Sequence, residues 1–556
     1  MSVAFWNARK KQRRNPRLEF QLKNPETFIF KTRYITDQSP LATFTKITRC
    51  NYEVTKEQLP ELMTIAAKSG WEVVPIPDYI EKALEFDLNM PFDDSFKETD
   101  IWKKMFQYQR DGVHTVITKF DGRCIIGDEM GLGKTLQALA ICKYYKHKRV
   151  LVVCPAYLRL NWKHEIHKWV GMTTNTMVIS KGSDEIMDED GYLITSYELA
   201  TKKQDDLKKL KYNIAVVDES HYLKSNKSKR TKKLTPVLKK MKHCLLLSGT
   251  PALNRSSEVY TQAHIVRKEF FPKWRPYAVR YCAGGMSMLG YFEYSGNTNR
   301  EELHWLSKKT VMIRRMKKQV LKDLPKLIRS QIYLETPPAR SNKLKGLFKE
   351  WKEINKKMPK MVPASKEIQA AAFRRKAIIS ELFRKTAEAK LPAVQRLVAD
   401  LASTGVKFII FGHHQHFLNG ICETLEAGDI TYMKIDGATS LKKRDEYVNE
   451  FQAGKIQVAV LSILAASTGL TLTACSTLIF GELYWTSGQL LQSESRIHRI
   501  GQTETSDIRY VIAKDTLDDH LFKMVSFKQE NVDRMLDGAK FVEFAGLESM
   551  EDTINT

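Results

Sequence analysis

The sequence predicts an α/β protein of two lobes, each built on a parallel sheet, with helical protrusions and a small N-terminal α+β domain. Three observations lead there. Continuously apolar runs recur in two series. The first is Val150-Leu151-Val152-Val153-Cys154, Ile214-Ala215-Val216-Val217 and Leu245-Leu246-Leu247; the second is Phe408-Ile409-Ile410-Phe411, Val458-Ala459-Val460-Leu461, Leu478-Ile479-Phe480 and Ile508-Arg509-Tyr510-Val511-Ile512. Strands covered on both faces read this way, and helical patterns between them supply the crossovers that parallel strands need. Finally, 556 residues are more than one hydrophobic core normally serves.

Composition narrows the partners. The chain has 89 Lys and Arg against 64 Asp and Glu, a formal charge of +25. That surplus favours a polyanion, and nucleic acid over membrane because no basic amphipathic helix stands out; a basic soluble enzyme is the bland alternative. No apolar stretch approaches the roughly 20 residues of a membrane span and no signal-peptide core is present, so an intracellular place is expected. The eight cysteines (50, 124, 142, 154, 244, 282, 422 and 475) form no Cys-x-x-Cys pair and read as buried thiols.

In chain order, residues 1–17 are a basic arm containing Arg9-Lys10-Lys11-Gln12-Arg13-Arg14, either a nucleic-acid arm, a nuclear address or a solvated terminus. Residues 18–85 read as an accessory domain: alternation in Phe28 to Ile35 predicts strands, Pro60 to Lys68 a helix, and Trp71 to Pro75 a short edge strand. Residues 86–100 read as a linker and 101–265 as lobe 1. Residues 266–390, with Arg314-Arg315 and Arg374-Arg375-Lys376, read as helical protrusions and inter-lobe linker, their charge either facing a phosphate backbone or simply solvated. Lobe 2 covers 391–520, and 521–556 a brace helix and tail.

The chemistry centres on Gly127 to Thr135, Gly-Asp-Glu-Met-Gly-Leu-Gly-Lys-Thr, between the run Cys124-Ile125-Ile126 and a helical pattern. Strand, loop and helix in that order make a phosphate-binding loop. Gly131 and Gly133 let backbone N–H groups approach phosphate, Lys134 can reach the β and γ phosphates, and Thr135 can ligate Mg²⁺; Asp128 stands where the strict motif has its first Gly. The expected nucleotide contacts are therefore Asp128, Glu129, Met130, Gly131, Leu132, Gly133, Lys134 and Thr135, with ATP and Mg²⁺ as ligands. Asp218, at a strand end, can hold the metal through water, and Glu219 can orient or deprotonate the attacking water. Gln109 has the donor and acceptor pattern to read the adenine edge, although a surface Gln looks the same. Ser248-Gly249-Thr250-Pro251 either links nucleotide state to neighbouring loops or forms a turn. Gln492, Arg496 and Arg499 stand at helical spacings of four and three, so they share a face, and the arginines suit a finger that acts when the lobes close. His413, His414 and His416 lack further ligands nearby, and no zinc is expected.

Taken together, Gln109, the Asp128–Thr135 loop, Val-Val-Cys-Pro-Ala at 152–156, Asp-Glu-Ser-His at 218–221, Ser-Gly-Thr-Pro, Ile-Asp-Gly-Ala-Thr at 435–439, Thr-Gly-Leu-Thr at 468–471 and Arg-Ile-His-Arg-Ile-Gly-Gln resemble the Swi/Snf-type branch of superfamily two helicases. Within that branch, Leu-Leu-Leu-Ser-Gly-Thr-Pro-Ala-Leu, Tyr-Ser-Gly at 294–296, Arg-Lys-Thr-Ala-Glu-Ala-Lys at 384–390 and Phe-Gly-His-His resemble the HepA-related annealing helicases. The resemblance implies two RecA-like lobes and a DNA-dependent ATPase acting on duplex or branched DNA such as stalled forks. It places ATP hydrolysis on Lys134, Thr135, Asp218, Glu219, Arg496 and Arg499, adenine recognition on Gln109, and coupling on His221, Ser248, Thr250, Gly469 and Gln492. Gln319 departs from the family, which usually has an acidic residue after the Arg-Arg pair. A nucleosome remodeller or a protein-displacing motor shares these motifs, and a basic scaffold with a decayed motor would lack some of them. The expected location is at DNA: nuclear in a eukaryote, cytoplasm or nucleoid in a bacterium or phage.

Overall fold

A computed structural model describes residues 16–537, apart from 34, 36–37, 49, 187, 211, 253–254, 272, 288–289, 336–337, 359–364 and 466–469. Most of the basic arm, Gly469 and the tail after Asp537 therefore lie outside the described residues.

The N-terminal sheet orders its strands as Thr45–Thr48, Asn51–Thr55, Thr27–Arg33, Arg17–Asn24 and Glu72–Val74. Alternation drives it: Leu18, Phe20 and Leu22 point inward, and Phe20 stands opposite Phe30 across the antiparallel pair. The helix Leu59–Lys68 packs Leu62 and Ala66 onto the same core, and the edge strand at 72–74 runs parallel to Arg17–Asn24.

Lobe 1 carries seven strands in the spatial order Met312–Ile313, Arg123–Ile126, His243–Leu247, Ile214–Asp218, Arg149–Cys154, Gly191–Ser196 and Thr176–Val178. All pair in parallel; Val216, for example, stands beside both Val152 and Leu245. The carboxyl ends of three adjacent strands thus bring Gly127, Asp218 and Ser248 to one edge, where an open α/β sheet builds its site. Residues 86–100 are not a free linker: Phe92 and Phe96 pack against Trp102 and Tyr144, so this acidic segment is bound into the lobe by its aromatics.

Lobe 2 has six parallel strands, Leu327–Leu334, Ser506–Ala513, Thr477–Phe480, Phe408–Gly412, Val458–Ser462 and Tyr432–Ile435. Four strands among the described residues correct the sequence reading of 266–390 as helical, two of them, Gly285–Met286 and Phe292–Glu293, forming a short antiparallel pair. Met312–Ile313 joins the edge of lobe 1, and Leu327–Leu334 forms the edge of lobe 2, pairing from Leu327–Ser506 to Leu334–Ala513. Edge strands are half exposed, so they lack the apolar run that betrays a central strand. The remaining protrusion is a pair of helices, Pro338–Lys357 and Lys366–Ser403. The helix Leu517–Asp537 starts against the aromatic pair Tyr510 and Phe522 in lobe 2 and ends at Arg314, next to the lobe 1 sheet. No helix among the described residues is long and apolar enough to cross a membrane. All eight cysteines are free, and every one except Cys50 is buried.

Candidate functional site

The loop after Ile126 turns on two left-handed glycines, Gly131 at φ 88° and Gly133 at φ 75°, a conformation in which a side chain is strained. Space is also closed there. A Cβ at Gly133 would lie 2.3 Å from Gln109 Nε2, and one at Gly131 3.2 Å from Arg499 Cβ. Lys134 opens the following helix Lys134–Tyr144 and folds its ammonium back onto the carbonyls of Asp128 (2.8 Å) and Glu129 (3.3 Å). Burial holds its pKa down, opposed by Glu219, Asp128 and Asp218.

Asp128 is fully buried, accepts from Gln137 Nε2 at 2.9 Å and from Arg315 Nε at 3.0 Å, and through these side-chain contacts anchors the loop. Arg315 also donates to Gln137 Oε1 and to the Tyr108 carbonyl. Gln109 is similarly committed: its Oε1 accepts from Phe106 N–H at 3.0 Å and its Nε2 donates to the Leu132 carbonyl at 3.1 Å. In this arrangement its amide braces the loop.

Two buried carboxylates end the central strand. Trp162 Nε1 donates to Asp218 Oδ2 at 2.9 Å, the Glu219 amide donates to Oδ1 at 2.9 Å, and Tyr197 holds the Asp218 carbonyl at 2.6 Å. Burial and the charge of Glu219 push Asp218 up to about 6. Burial opposes ionisation of Glu219 as well, but His221, Lys134 and Arg496 hold its carboxyl below the usual range. His221 Nδ1 lies 3.1 Å from Glu219 Oε2, an ion-pair distance at poor hydrogen-bond geometry, and 3.3 Å from Ser248 Oγ.

The other lobe faces this edge. The helix Ser487–Glu494 ends before Arg496, so Gln492 and the two arginines do not share one helical face as their spacing predicts; the arginines come from the turns that follow. Gln492 donates to Thr250 Oγ1 at 3.3 Å, and Ser495 Oγ lies 3.6 Å from Met130 Sδ, so the lobes touch across the loop. Arg496 is buried, with Nε unpartnered and Nη1 3.4 Å from the Leu470 carbonyl; burial and Arg499 lower it to about 10. Arg499 donates to Thr471 Oγ1 at 2.8 Å. Neither arginine pairs with a carboxylate among the described residues. A buried and a partly exposed arginine, neither in a salt bridge among the described residues, stand over a loop of N–H donors and make an anion site.

The residues also fit a divalent cation. Asp218 and Glu219 concentrate two carboxylates beside one ammonium, and Oε2 of Glu219 has hydrogen-bonding capacity to spare. Thr135 and Asp218 are the residues that would hold Mg²⁺, an ion that keeps several waters and needs no cage of protein ligands. No group of three or more His, Cys, Asp or Glu side chains suited to a metal occurs among the described residues; His414 instead donates to or accepts from the buried Glu482 at 2.6 Å.

The sequence reading missed three residues. Trp162 fixes Asp218, and its indole has no local motif to announce it. Arg314 and Arg315, expected in basic protrusions, are largely buried: Arg314 donates to the carbonyls of Gly127 (2.8 Å) and Gly249 (3.2 Å) and pairs with Asp537 at 2.6 Å. Gln319 accepts from the Met316 amide at 2.8 Å and caps the short helix Lys317–Val320, which is what the departure from the family does here.

Two parallel-sheet lobes meeting at a phosphate-binding loop, with a carboxylate pair on one side and arginines on the other, define a helicase-like nucleoside triphosphatase core. Comparison with known proteins makes this specific. Residues 108–380 match the SNF2-related domain and residues 389–501 the helicase conserved C-terminal domain. The chain belongs to the SNF2 family. It is 38% identical over 433 residues to the SWI/SNF-related matrix-associated actin-dependent regulator of chromatin subfamily A-like protein 1 of Xenopus laevis, covering 76% of this chain and 43% of that protein. It is 34% identical over 480 residues to the DNA annealing helicase and endonuclease ZRANB3 of Bos taurus, covering 83% of this chain and 44% of that one. Among solved structures, the Sulfolobus solfataricus SWI2/SNF2 ATPase core in complex with dsDNA shares 21% identity over 82% of this chain and 96% of the other, with a TM-score of 0.37. The chain spans less than half the length of the two relatives.

Proposed function

We propose that the chain is a DNA-dependent ATPase that translocates on duplex or branched DNA and anneals strands or remodels forks. The observation that carries the ATPase is the pair Arg496 and Arg499, delivered by lobe 2 over the lobe 1 loop without carboxylate partners. In the reaction Lys134 neutralises the β and γ phosphates, Glu219 orients and deprotonates the attacking water, and the arginines stabilise charge on the transferring phosphoryl group. Mg²⁺, when bound, neutralises phosphate charge, with Thr135 and Asp218 as its protein contacts. His221 and Ser248 on one side, and Thr250 and Gln492 on the other, connect the nucleotide site to the lobe interface. DNA is the partner that the net charge of +25 favours, and annealing is the activity that the name of the ZRANB3 relatives supports.

Residues 18–85 would report DNA structure to this motor. Their strand Arg17–Asn24 is hooked to lobe 1 by Glu302, which accepts from the Leu22 amide at 2.8 Å, Arg280 at 2.6 Å and Tyr281 at 2.7 Å. Remodelling of nucleosomes or other protein–DNA complexes is the second reading, favoured by the chromatin-regulator name of the other relatives. Steady-state ATPase rates with single strands, linear duplex, a model fork, RNA and nucleosomes at matched salt separate the two. Strongest stimulation by the fork supports annealing; strongest stimulation by nucleosomes supports the alternative, and no stimulation by any DNA overturns both.

A further inference from the structure

The helix Lys366–Ser403 divides into two environments. Its second half packs Ala387, Val394 and Val398 into lobe 2, while its first half rests on the helix Pro338–Lys357 through Ile378 and Leu382. Outward from that pairing stands Phe373, 78% exposed, the most exposed large apolar side chain among the described residues. Positions 366, 370, 373, 377, 380 and 384 fall on one face of an α-helix. Lys376, one turn on, and Lys366, two turns back on the same face, bring positive charge to the ring's side of the helix, and both are exposed. Ala370 and Ala377, one turn away on either side, are too short to cover it. No aromatic or cationic group lies against the ring among the described residues, and the adjacent Arg374 is turned away to pair with Glu350 at 2.6 Å.

Single exposed apolar residues are common and need no function. This one combines a ring that is 78% exposed, a helical mount and two nearby lysines. A protein partner would require a contiguous apolar patch, whereas the neighbours here are alanines and lysines. Phosphodiester charge matches the rim, and the ring offers a face to a base. Bases inside a duplex already stack on each other, so only an unpaired base can use it. We propose that Phe373, flanked by Lys366 and Lys376, is a stacking platform for an unpaired nucleic-acid strand on the protrusion of lobe 2, separate from the ATP site. The choice of DNA over RNA rests on the motor reading above; the platform itself does not require ATP turnover.

The test uses the full chain without nucleotide, at one low salt concentration, with oligothymidine, a blunt duplex, and a fork carrying 2-aminopurine at its unpaired branch base. Phe373→Ala is expected to weaken oligothymidine binding about tenfold and abolish the fluorescence quench at the branch base, with Phe373→Trp retaining both. Blunt-duplex affinity and duplex-stimulated ATPase stay at the parent level. Replacing Lys366 and Lys376 by Gln lowers affinity and flattens the salt dependence by roughly one to two in log–log slope, with the quench restored at saturation. Unchanged oligothymidine binding by Phe373→Ala, a persisting quench, or an equal loss on blunt duplex overturns the proposal. A chain whose ATPase ignored DNA would refute the motor reading and leave this binding result standing.

Discussion

Lobe 1 and lobe 2 present opposite electrostatic arrangements to the cleft they share. In lobe 1 the charges are held by neighbours in the same lobe or in the segment that leaves it: Asp128 by Arg315, Lys134 by loop carbonyls, Asp218 by Trp162, Glu219 by His221. In lobe 2 the buried Arg496 and the partly exposed Arg499 make carbonyl and hydroxyl contacts but no salt bridge among the described residues. Burying a cation without a salt bridge is costly, which makes Arg496 informative: on the proposed function lobe 1 would cradle the phosphates and orient the water, and lobe 2 would add positive charge when the lobes meet. On the proposed function neither half is complete alone, and hydrolysis would depend on their apposition.

The largest effect expected is at the unpaired side. Arg496→Ala should lower kcat by about 10³–10⁵, as loss of an arginine finger does, with DNA binding intact; single-turnover ATPase assays would show it, and near-normal turnover would reduce Arg496 to a structural residue. Glu219→Gln keeps the shape of the lobe 1 site and should cost about 10²–10⁴ in kcat with little change in nucleotide affinity. Loss of affinity with an unchanged rate would instead make Glu219 a binding group.

Next comes the tether that keeps the comparison in register. Asp537 belongs to the helix rooted in lobe 2, and its partner Arg314 holds the carbonyls on either side of the nucleotide loop. Asp537→Ala leaves a buried guanidinium unpaired and should cost about 3–5 kcal/mol of stability, seen as a lower denaturation midpoint. Asp537→Asn should recover part of it, and an unchanged midpoint for both would show that the helix is not a brace.

The smallest effect concerns Lys317, whose ammonium donates to the His498 carbonyl of lobe 2 and lies 3.7 Å from Glu129. Burial depresses its pKa to about 8 from an ordinary 10.5. Between those values the unfolded chain binds the proton and the folded chain does not, so this group makes stability rise with pH there and costs stability below about 8. Lys317→Met should therefore gain on the parent by on the order of 1–3 kcal/mol near neutral pH, with the gap closing toward pH 10. A pH-independent difference in melting temperature would show that Lys317 is not the titrating group.

Legibility in the sequence followed the range of the interaction. Central strands were readable because burial on both faces leaves a continuous apolar run, as in Val150 to Cys154. The nucleotide loop was readable because its glycines and Lys134 act through local backbone geometry. The edge strand Leu327–Leu334 was not: Arg329, Ser330 and Gln331 interrupt it, and Arg329 is there to pair with the buried Glu494 at 3.0 Å. Likewise the spacing of Gln492, Arg496 and Arg499 predicts one helical face, yet the helix stops at Glu494 and the turns beyond it aim the arginines.

What the sequence determined by itself was the kind of machine: two parallel sheets, a phosphate loop, an Asp-Glu strand end and a pair of arginines, each encoded within a few consecutive residues. The tertiary structure alone decided which charges are partners. Asp128 meets Arg315 across 187 residues of chain, and Arg314 meets Asp537 across 223. Periodicity reports only neighbours within a turn or a strand, whereas a buried ion pair is selected by the desolvation that packing imposes on groups remote in the chain. That is why the anchoring by Asp128 is visible in three dimensions and not in one.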